Sequence, residues 1–230
     1  MKLESIREIK GRIVLTSGLH IGAGDMEMKI GGIDNPVIKH PHTMEPYIPG
    51  SSLKGKVRSL LEMRSGLMGR TEGNPVSIRT LASCNETEKA ACIKILKLFG
   101  SSGAETDPGI GPTRVSFADC RLDSAWLTRA REQHLSLTEV KSENSINRIK
   151  GTAENPRFSE RVPSGAEFTF TVTLKQLDQE ESDLELLLME GLKLLQMDAL
   201  GGSGSRGYGR IELKFDDELV QKKFDETKPL

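Results

Sequence analysis

At 230 residues the chain can bury one sizeable core, and we expect one elaborated domain over residues 1–230. Its 32 basic and 33 acidic side chains leave a net charge of -1, so overall charge gives no support for a polyanionic partner, and any such binding has to come from a local stripe. Aromatic residues make up only 4% of the sequence, which argues against a surface that recognises bases mainly by ring stacking. Cys84, Cys92 and Cys120 form no C-x-x-C pair and read as reduced thiols rather than a disulfide framework or paired zinc site. Apolar runs are too short to cross a membrane and the start, Met1-Lys2-Leu3-Glu4-Ser5, is polar, so a cytoplasmic protein without membrane contact is expected.

In chain order, residues 6–16 carry Ile6, Ile9, Ile13 and Leu15 in a rhythm that predicts a strand, followed by Ser17-Gly18-Leu19-His20-Ile21-Gly22. Residues 22–49 form a long connection rich in glycine and proline, with a short strand expected at Val37-Ile38-Lys39; loops of this length in compact domains are often functional. A helix is predicted after Pro49-Gly50, with Ser51 or Ser52 as N-cap and Leu53, Val57, Leu60 and Leu61 on one face. Lys54, Lys56 and Arg58 crowd its first turns. Cations there oppose the helix dipole unless an anion compensates, so the patch reads either as a phosphate site or as a solvated basic face.

Residues 66–88 are polar, within an insertion placed at 66–110, and residues 90–99 predict a short helix ended by Gly100. A strand follows at 113–120. Residues 139–163 mix basic side chains with Ile146, Ile149 and Phe158, as a projecting hairpin or a surface loop would. Residues 168–174 give the clearest strand, and Leu184, Leu187, Leu188, Gly191, Leu195 and Ala199 a helical stripe opened by a Ser182/Glu185 capping box. The last strand is expected at 209–215. Strand, helix, strand, strand, helix, strand is the ferredoxin-like βαββαβ order, an α+β arrangement shared with RNA-recognition domains.

Gly201-Gly202-Ser203-Gly204-Ser205-Arg206-Gly207-Tyr208-Gly209-Arg210 joins the late helix to the last strand. Although Gly202, Gly204 and Gly207 spell G-x-G-x-x-G, the dinucleotide fingerprint needs strand before and helix after, the reverse of this order, so a nucleotide cofactor is disfavoured. One reading is a glycine C-cap and tight loop. The other is a backbone surface that an RNA can approach closely, since one or two glycines would satisfy the turn alone.

Three stretches resemble the backbone subunit of type III-A CRISPR effector complexes, a RAMP superfamily family: Thr16-Ser17-Gly18-Leu19-His20-Ile21-Gly22, Gly32-Ile33-Asp34-Asn35-Pro36-Val37-Ile38-Lys39 and Ile48-Pro49-Gly50-Ser51-Ser52-Leu53-Lys54-Gly55-Lys56. The similarity continues through Thr138-Glu139-Val140-Lys141, Glu143-Asn144, Asn147-Arg148-Ile149, Asn155-Pro156-Arg157 and residues 200–209 of the glycine stretch. It implies a modified RNA-recognition fold that stacks with identical copies along a CRISPR RNA, beside other type III-A subunits, in antiviral defence. Guide-backbone contacts are implied for His20, Ser51, Ser52, Lys54, Arg58, Gly202, Ser203, Gly204 and Arg206; a buried, satisfied role stays open for His20. Residues 139–163, with Lys141, Arg148 and Arg157, would be a thumb wedged into the guide–target duplex.

The same resemblance makes Asp34, otherwise a turn residue in Asp-Asn-Pro, the cleavage aspartate for complementary single-stranded target RNA. The implied reaction depends on Mg2+ or Mn2+: the target's 2′-hydroxyl attacks the adjacent phosphate, leaving a 2′,3′-cyclic phosphate and a 5′-hydroxyl. Asp34 would act as metal ligand, general base or orienting group, with phosphate and water completing the metal's coordination. Cys84 and Cys92 do not reproduce the cysteine cluster of zinc-binding members, so no structural zinc is expected. Asp25 and Glu27 read as solvated loop residues. The competing function is a non-catalytic guide-binding scaffold.

Overall fold

The computed structural model describes residues 2–24, 34–101, 107–177, 181 and 183–230; Asp25, Glu27, Gly32, Ile33 and Ser182 of the expectations above lie outside them. Four antiparallel strands form the main sheet in the order β2-β5-β1-β6: β1 (Ser5–Leu15), β2 (Val115–Phe117), β5 (Glu167–Gln176) and β6 (Ile211–Phe215). With helices α1 (Gly50–Arg64) and α5 (Asp183–Met197) as the crossovers, this is the ferredoxin-like order, so the α+β expectation holds. β1 lies centrally because its alternation buries Ile9, Ile13 and Leu15 on one face, while its opposite face carries Glu8, Lys10 and Arg12 into solvent. Its register, Ile13 opposite both Phe168 and Leu213, aligns three apolar residues under the helices. On α1, Leu53, Val57 and Leu61 meet α5, where Gly191 is so close that a Cβ would collide with Val57 and Leu61. Each such leucine contributes about 1.5–3 kcal/mol of burial.

Departures from expectation have local causes. Ser51 and Ser52 do not cap α1; they lie inside its first turn, and the Gly50 amide donates instead to Asp119 Oδ1 at 2.8 Å. The compensating anion at this basic helix start is thus an internal carboxylate. Reaching Gly50 turns the chain out of the sheet after Phe117, so β2 is three residues long rather than eight, and Cys120 pairs singly with Ile48. No strand forms at 37–39: Val37 and Lys39 make isolated bridges to Gly22 and Pro46, and a proline cannot donate to extend a ladder.

The inserted region is more helical than its polar composition announces. After a 3-10 turn (Leu67–Arg70) come α2 (Ile78–Ser83) and α3 (Glu86–Phe99); α3 starts four residues earlier than expected because Asn85 and Glu88 form a capping box. Two helices escaped the sequence reading, α4 (Ser124–Glu132), capped by Asp123, and α6 (Glu218–Glu226), capped by Asp217. Phe224 fixes α6, its ring tilted against that of Phe215 at 4.9 Å, and Phe215 meets Phe170 edge-on at 5.5 Å. Residues 139–163 fold as a two-stranded hairpin, β3 (Glu139–Ile146) and β4 (Ala153–Arg161), with a bulge between Glu143 and Ser145. No helix among the described residues is long and apolar enough to cross a membrane.

A buried ion pair ties the sheet edge to the start of α5. Arg114, 1% exposed, reaches Glu181 Oε1 at 2.5 Å and Oε2 at 3.2 Å, and donates to the Ile110 and Pro112 carbonyls. Arg114→Met, which leaves Glu181 with Lys97 at 3.5 Å and the Leu177 amide, is expected to cost about 3 kcal/mol in urea unfolding. Burial pushes Glu181 up, but hydrogen bonds from Arg114 and the Leu177 amide outweigh it and hold the carboxyl below its ordinary value. Its contribution should therefore be present at neutral pH and vanish as pH falls through that lowered value, a dependence that Arg114→Met should flatten.

Candidate nucleic-acid interface

β4 is the spine on which three loops meet. Asp34 is exposed, and its Oδ2 accepts a hydrogen bond at 3.0 Å from the Phe158 amide. One residue on, Asn35 bridges Ser159 in parallel, and the Glu160 amide donates to the Asn35 carbonyl at 2.9 Å. Glu160, 4% exposed, turns its carboxylate into the connection: Oε1 pairs with Lys39 Nζ at 2.6 Å and Oε2 accepts from the Val37 amide at 3.0 Å. Burial raises this carboxyl, but Lys39, Thr138 and the Val37 amide outweigh it and hold it below its ordinary value. The connection from Asp34 to Lys39, which holds no strand, is thereby fixed, and the Asp34 carboxylate is presented beside the hairpin.

The second loop contains His20. Its Nδ1–H donates to the Glu160 carbonyl at 2.6 Å, an acceptor-only partner that fixes the tautomer, while Leu19 and Val162 exchange backbone hydrogen bonds. Half-buried His20 is thus internally satisfied at Nδ1, and its ring lies between Gly22 and Gly202. The glycine stretch is the third loop. Gly202 donates its amide to the His20 carbonyl at 2.9 Å, and Gly209 donates to the Gly18 carbonyl at 2.9 Å. At Gly201 (φ +74°) a Cβ would stand 2.3 Å from the His20 oxygen, and at Gly209 (φ +70°) 1.9 Å from the Leu200 oxygen. These two glycines serve the chain's own close approach. Ser203 is itself left-handed at φ 61°, and a 3-10 turn runs from Gly204 to Arg206, leaving its first amides without a partner inside the turn.

Tyr208 and Glu143 were missed as site residues. The Tyr208 hydroxyl donates to Glu143 Oε1 at 3.0 Å, Arg206 Nε pairs with Glu143 Oε2 at 3.2 Å, and Lys141 with Oε1 at 3.4 Å. The buried Tyr208 ring carries Lys141 Nζ 4.5 Å and Arg161 Cζ 5.1 Å from its centre. Lys141 and Arg206 are thus partly spent inside the protein, whereas Arg148 and Arg157 on the hairpin are exposed and have no ion pair among the described residues.

Lys54 stands apart from these loops. With Ser51, Gly55, Arg58, Met68, Thr71, Asn74 and others it lines a pocket of about 360 Å³ that includes neither Asp34, His20 nor any glycine-stretch residue. Ser52 is half-buried in the same first turn. Arg58 is committed to Glu62 Oε1 at 2.7 Å and to the Val76 carbonyl, so it shapes the pocket wall. Lys54 has no ion pair among the described residues, and burial followed by the Arg58 charge lowers its pKa. A partly desolvated ammonium without an ion pair, in a pocket whose Glu62 is already held by Arg58, is placed to receive an anion.

Among the described residues no group of three or more His, Cys, Asp or Glu is arranged to hold a metal. Cys84 and Cys92 are buried side by side, and burial, then the neighbouring Cys84, pushes the Cys92 thiol up to about 12.

The profile of the RAMP superfamily matches residues 12–212 of this chain. The CRISPR system Cms endoribonuclease Csm3 of Methanothermobacter thermautotrophicus is 38% identical over 229 residues, covering 93% of this chain and 86% of that protein. Its namesake from Enterococcus italicus is 36% identical over 222 residues, covering 95% of each. The crystal structure of a Csm3–Csm4 subcomplex from a type III-A CRISPR-Cas interference complex superposes with a TM-score of 0.57 at 29% identity, covering 93% of this chain and 78% of that one.

Two glycine substitutions should separate turn from surface. Gly209→Ala is expected to destabilise by at least about 2 kcal/mol in thermal unfolding, from its left-handed backbone and the Leu200 oxygen. Gly55→Ala, inside α1 with nothing within 4 Å of the added Cβ, should stabilise by about 1 kcal/mol.

Proposed function

We propose that this chain, which belongs to the RAMP superfamily, is the repeating guide-RNA-binding subunit of a type III-A CRISPR effector complex and an endoribonuclease that cuts complementary target RNA at regular intervals in antiviral defence. Curated relatives bearing the endoribonuclease name at 36–38% identity over nearly the whole chain support the activity. The observation that carries the reading here is Asp34: an exposed carboxylate with one oxygen anchored by the hairpin backbone and the other without a partner among the described residues. The chain works in the cytoplasm as one elaborated domain, stacked on copies of itself and flanked by other subunits of the complex. Its guide lies along Lys54 and the 203–206 turn, with the His20 ring between Gly22 and Gly202, and base pairing with the guide reads the target while the protein reads backbone and shape.

A magnesium or manganese ion suits this site only with help from RNA. One carboxylate oxygen is available at Asp34 and no three-residue cluster exists among the described residues, so phosphate oxygens and water would supply the rest of an all-oxygen shell. Such an ion, when bound, would neutralise charge at the scissile phosphate. The chain's own work is positional. The hairpin splays the target so that a 2′-hydroxyl lies in line with the adjacent phosphate, and the anchored Asp34 orients that hydroxyl.

The deciding experiment compares wild type with Asp34→Ala in guide-loaded complexes on labelled complementary RNA, with and without magnesium. We expect cutting to fall about a hundredfold to ten-thousandfold while guide and target binding persist. Unchanged cutting would leave this subunit a scaffold. Lys54→Ala should weaken RNA binding irrespective of sequence and reduce the slope of log affinity against log salt by about 0.7.

A further inference from the structure

We infer that Tyr208 is a positioning residue that sets the reach between the guide-holding glycine loop and Asp34, an inference that rests on the function proposed above. The hairpin's outer strands are polar and largely exposed, so little apolar burial fixes its angle to the rest of the protein. Its base is pinned where Leu19 pairs with Val162 and His20 bonds Glu160, and Tyr208 adds the contact that links the glycine loop to the two strands beyond that pin. The Tyr208 ring meets Lys141 of β3 at 4.5 Å and Arg161 of β4 at 5.1 Å, so one side chain of the glycine loop touches both strands of the hairpin. The hydroxyl adds a hydrogen bond to Glu143 of β3, an acceptor shared with Arg206 of the same loop. Arg161 is held in turn by Glu139 at 2.6 Å and lies so close to Gly18 that a Cβ there would stand 2.5 Å from its side chain.

Asp34 is mounted on the same strand. Phe158, whose amide holds its carboxylate, and Glu160, which holds the rest of its loop, lie one to three residues before Arg161. Any rocking of the hairpin about its base therefore carries Asp34 with it, relative to a glycine loop that is itself bonded to His20 and Gly18. An aromatic ring with two cations in contact and a charged hydrogen-bond acceptor resists that motion better than an aliphatic side chain of similar size. The consequence is specific: Tyr208 governs which target phosphate comes under Asp34, and how often it does so in line.

The test is single-turnover cleavage of end-labelled complementary RNA by assembled, guide-loaded complexes carrying Tyr208→Leu or Tyr208→Phe, with products resolved to the nucleotide and guide and target retention measured in parallel. Tyr208→Leu should keep both RNAs to within about twofold, cut about tenfold to a hundredfold more slowly, and scatter its cuts over neighbouring phosphates. Tyr208→Phe, which keeps the ring under both cations, should restore the register and most of the rate. Tyr208→Met, a flexible filler of the same space, answers the question if leucine prevents assembly. Wild-type rate and register in the leucine or methionine variant overturns the inference. So does loss of RNA binding as large as the loss of cutting, which makes Tyr208 a folding residue. Failure of the underlying function is distinct, because wild-type and Asp34→Ala complexes would then cut alike.

Discussion

The carboxylate of Glu160 is the interaction on which the site depends. A glutamate on a hairpin strand is ordinarily solvated; this one is folded inward, where it meets Lys39 and the Val37 amide from a connection that has no ladder among its described residues. Removing one partner from such a buried pair leaves a charge uncompensated, at a cost of about 3–5 kcal/mol, which is comparable to much of a domain's net stability. The same residue offers its carbonyl to His20 and its amide to Asn35. Four groups on one residue thus specify where the Asp34 loop and the His20 loop lie.

That arrangement explains how a polar hairpin is kept in one place. Two strands alone are marginally stable in water, and this pair has Val140, Ile146 and Phe158 exposed rather than packed, as is Ile149 in the turn that joins them. It borrows order from its base, through Val162 pairing with Leu19, Glu160 reaching the Asp34 loop, and Tyr208 beneath Lys141 and Arg161. The exposed apolar side chains and the unpaired Arg148 and Arg157 remain available outward, as a surface meeting a nucleic acid requires. Rigidity at the base and reach at the tip come from different parts of the same element.

Division of labour also appears among the basic residues. Arg58, Lys141 and Arg206 hold carboxylates of their own chain, so their charges define geometry as much as attraction. Lys54 is different in kind: partly desolvated, beside a second cation, and without an ion pair among the described residues, the pocket's Glu62 being held by Arg58. At the start of the same helix Asp119 already answers the dipole, so an anion near Lys54 would be recruited by the ammonium and the pocket, not by the helix terminus.

How much of this was legible in the residues differs by element. Strand and helix order followed from period, since Ile9, Ile13 and Leu15 alternate and Leu184, Leu188 and Leu195 recur at helical spacing, and that order is enough to suggest the ferredoxin-like sheet. The segments α4 and α6 went unseen because each buries only one or two large side chains, Trp126 and Phe224, although Asp123 and Asp217 stood in capping positions. Asp34 was found through family likeness, since its chemistry alone reads as a turn; Lys54 and the glycine stretch stood out by residue type, although a solvated face and a helix cap remained adequate readings of them. Glu160, Tyr208 and Asp119 were not legible, because a glutamate among polar strand residues looks solvated, a tyrosine among glycines has no period, and a helix cap 69 residues away is a matter of proximity. By itself the sequence determined which segments could bury an apolar face, because period is a property of neighbouring residues; only the tertiary structure decided which polar groups are spent inside the molecule and which are left for a partner, because that depends on distances between residues remote in the chain.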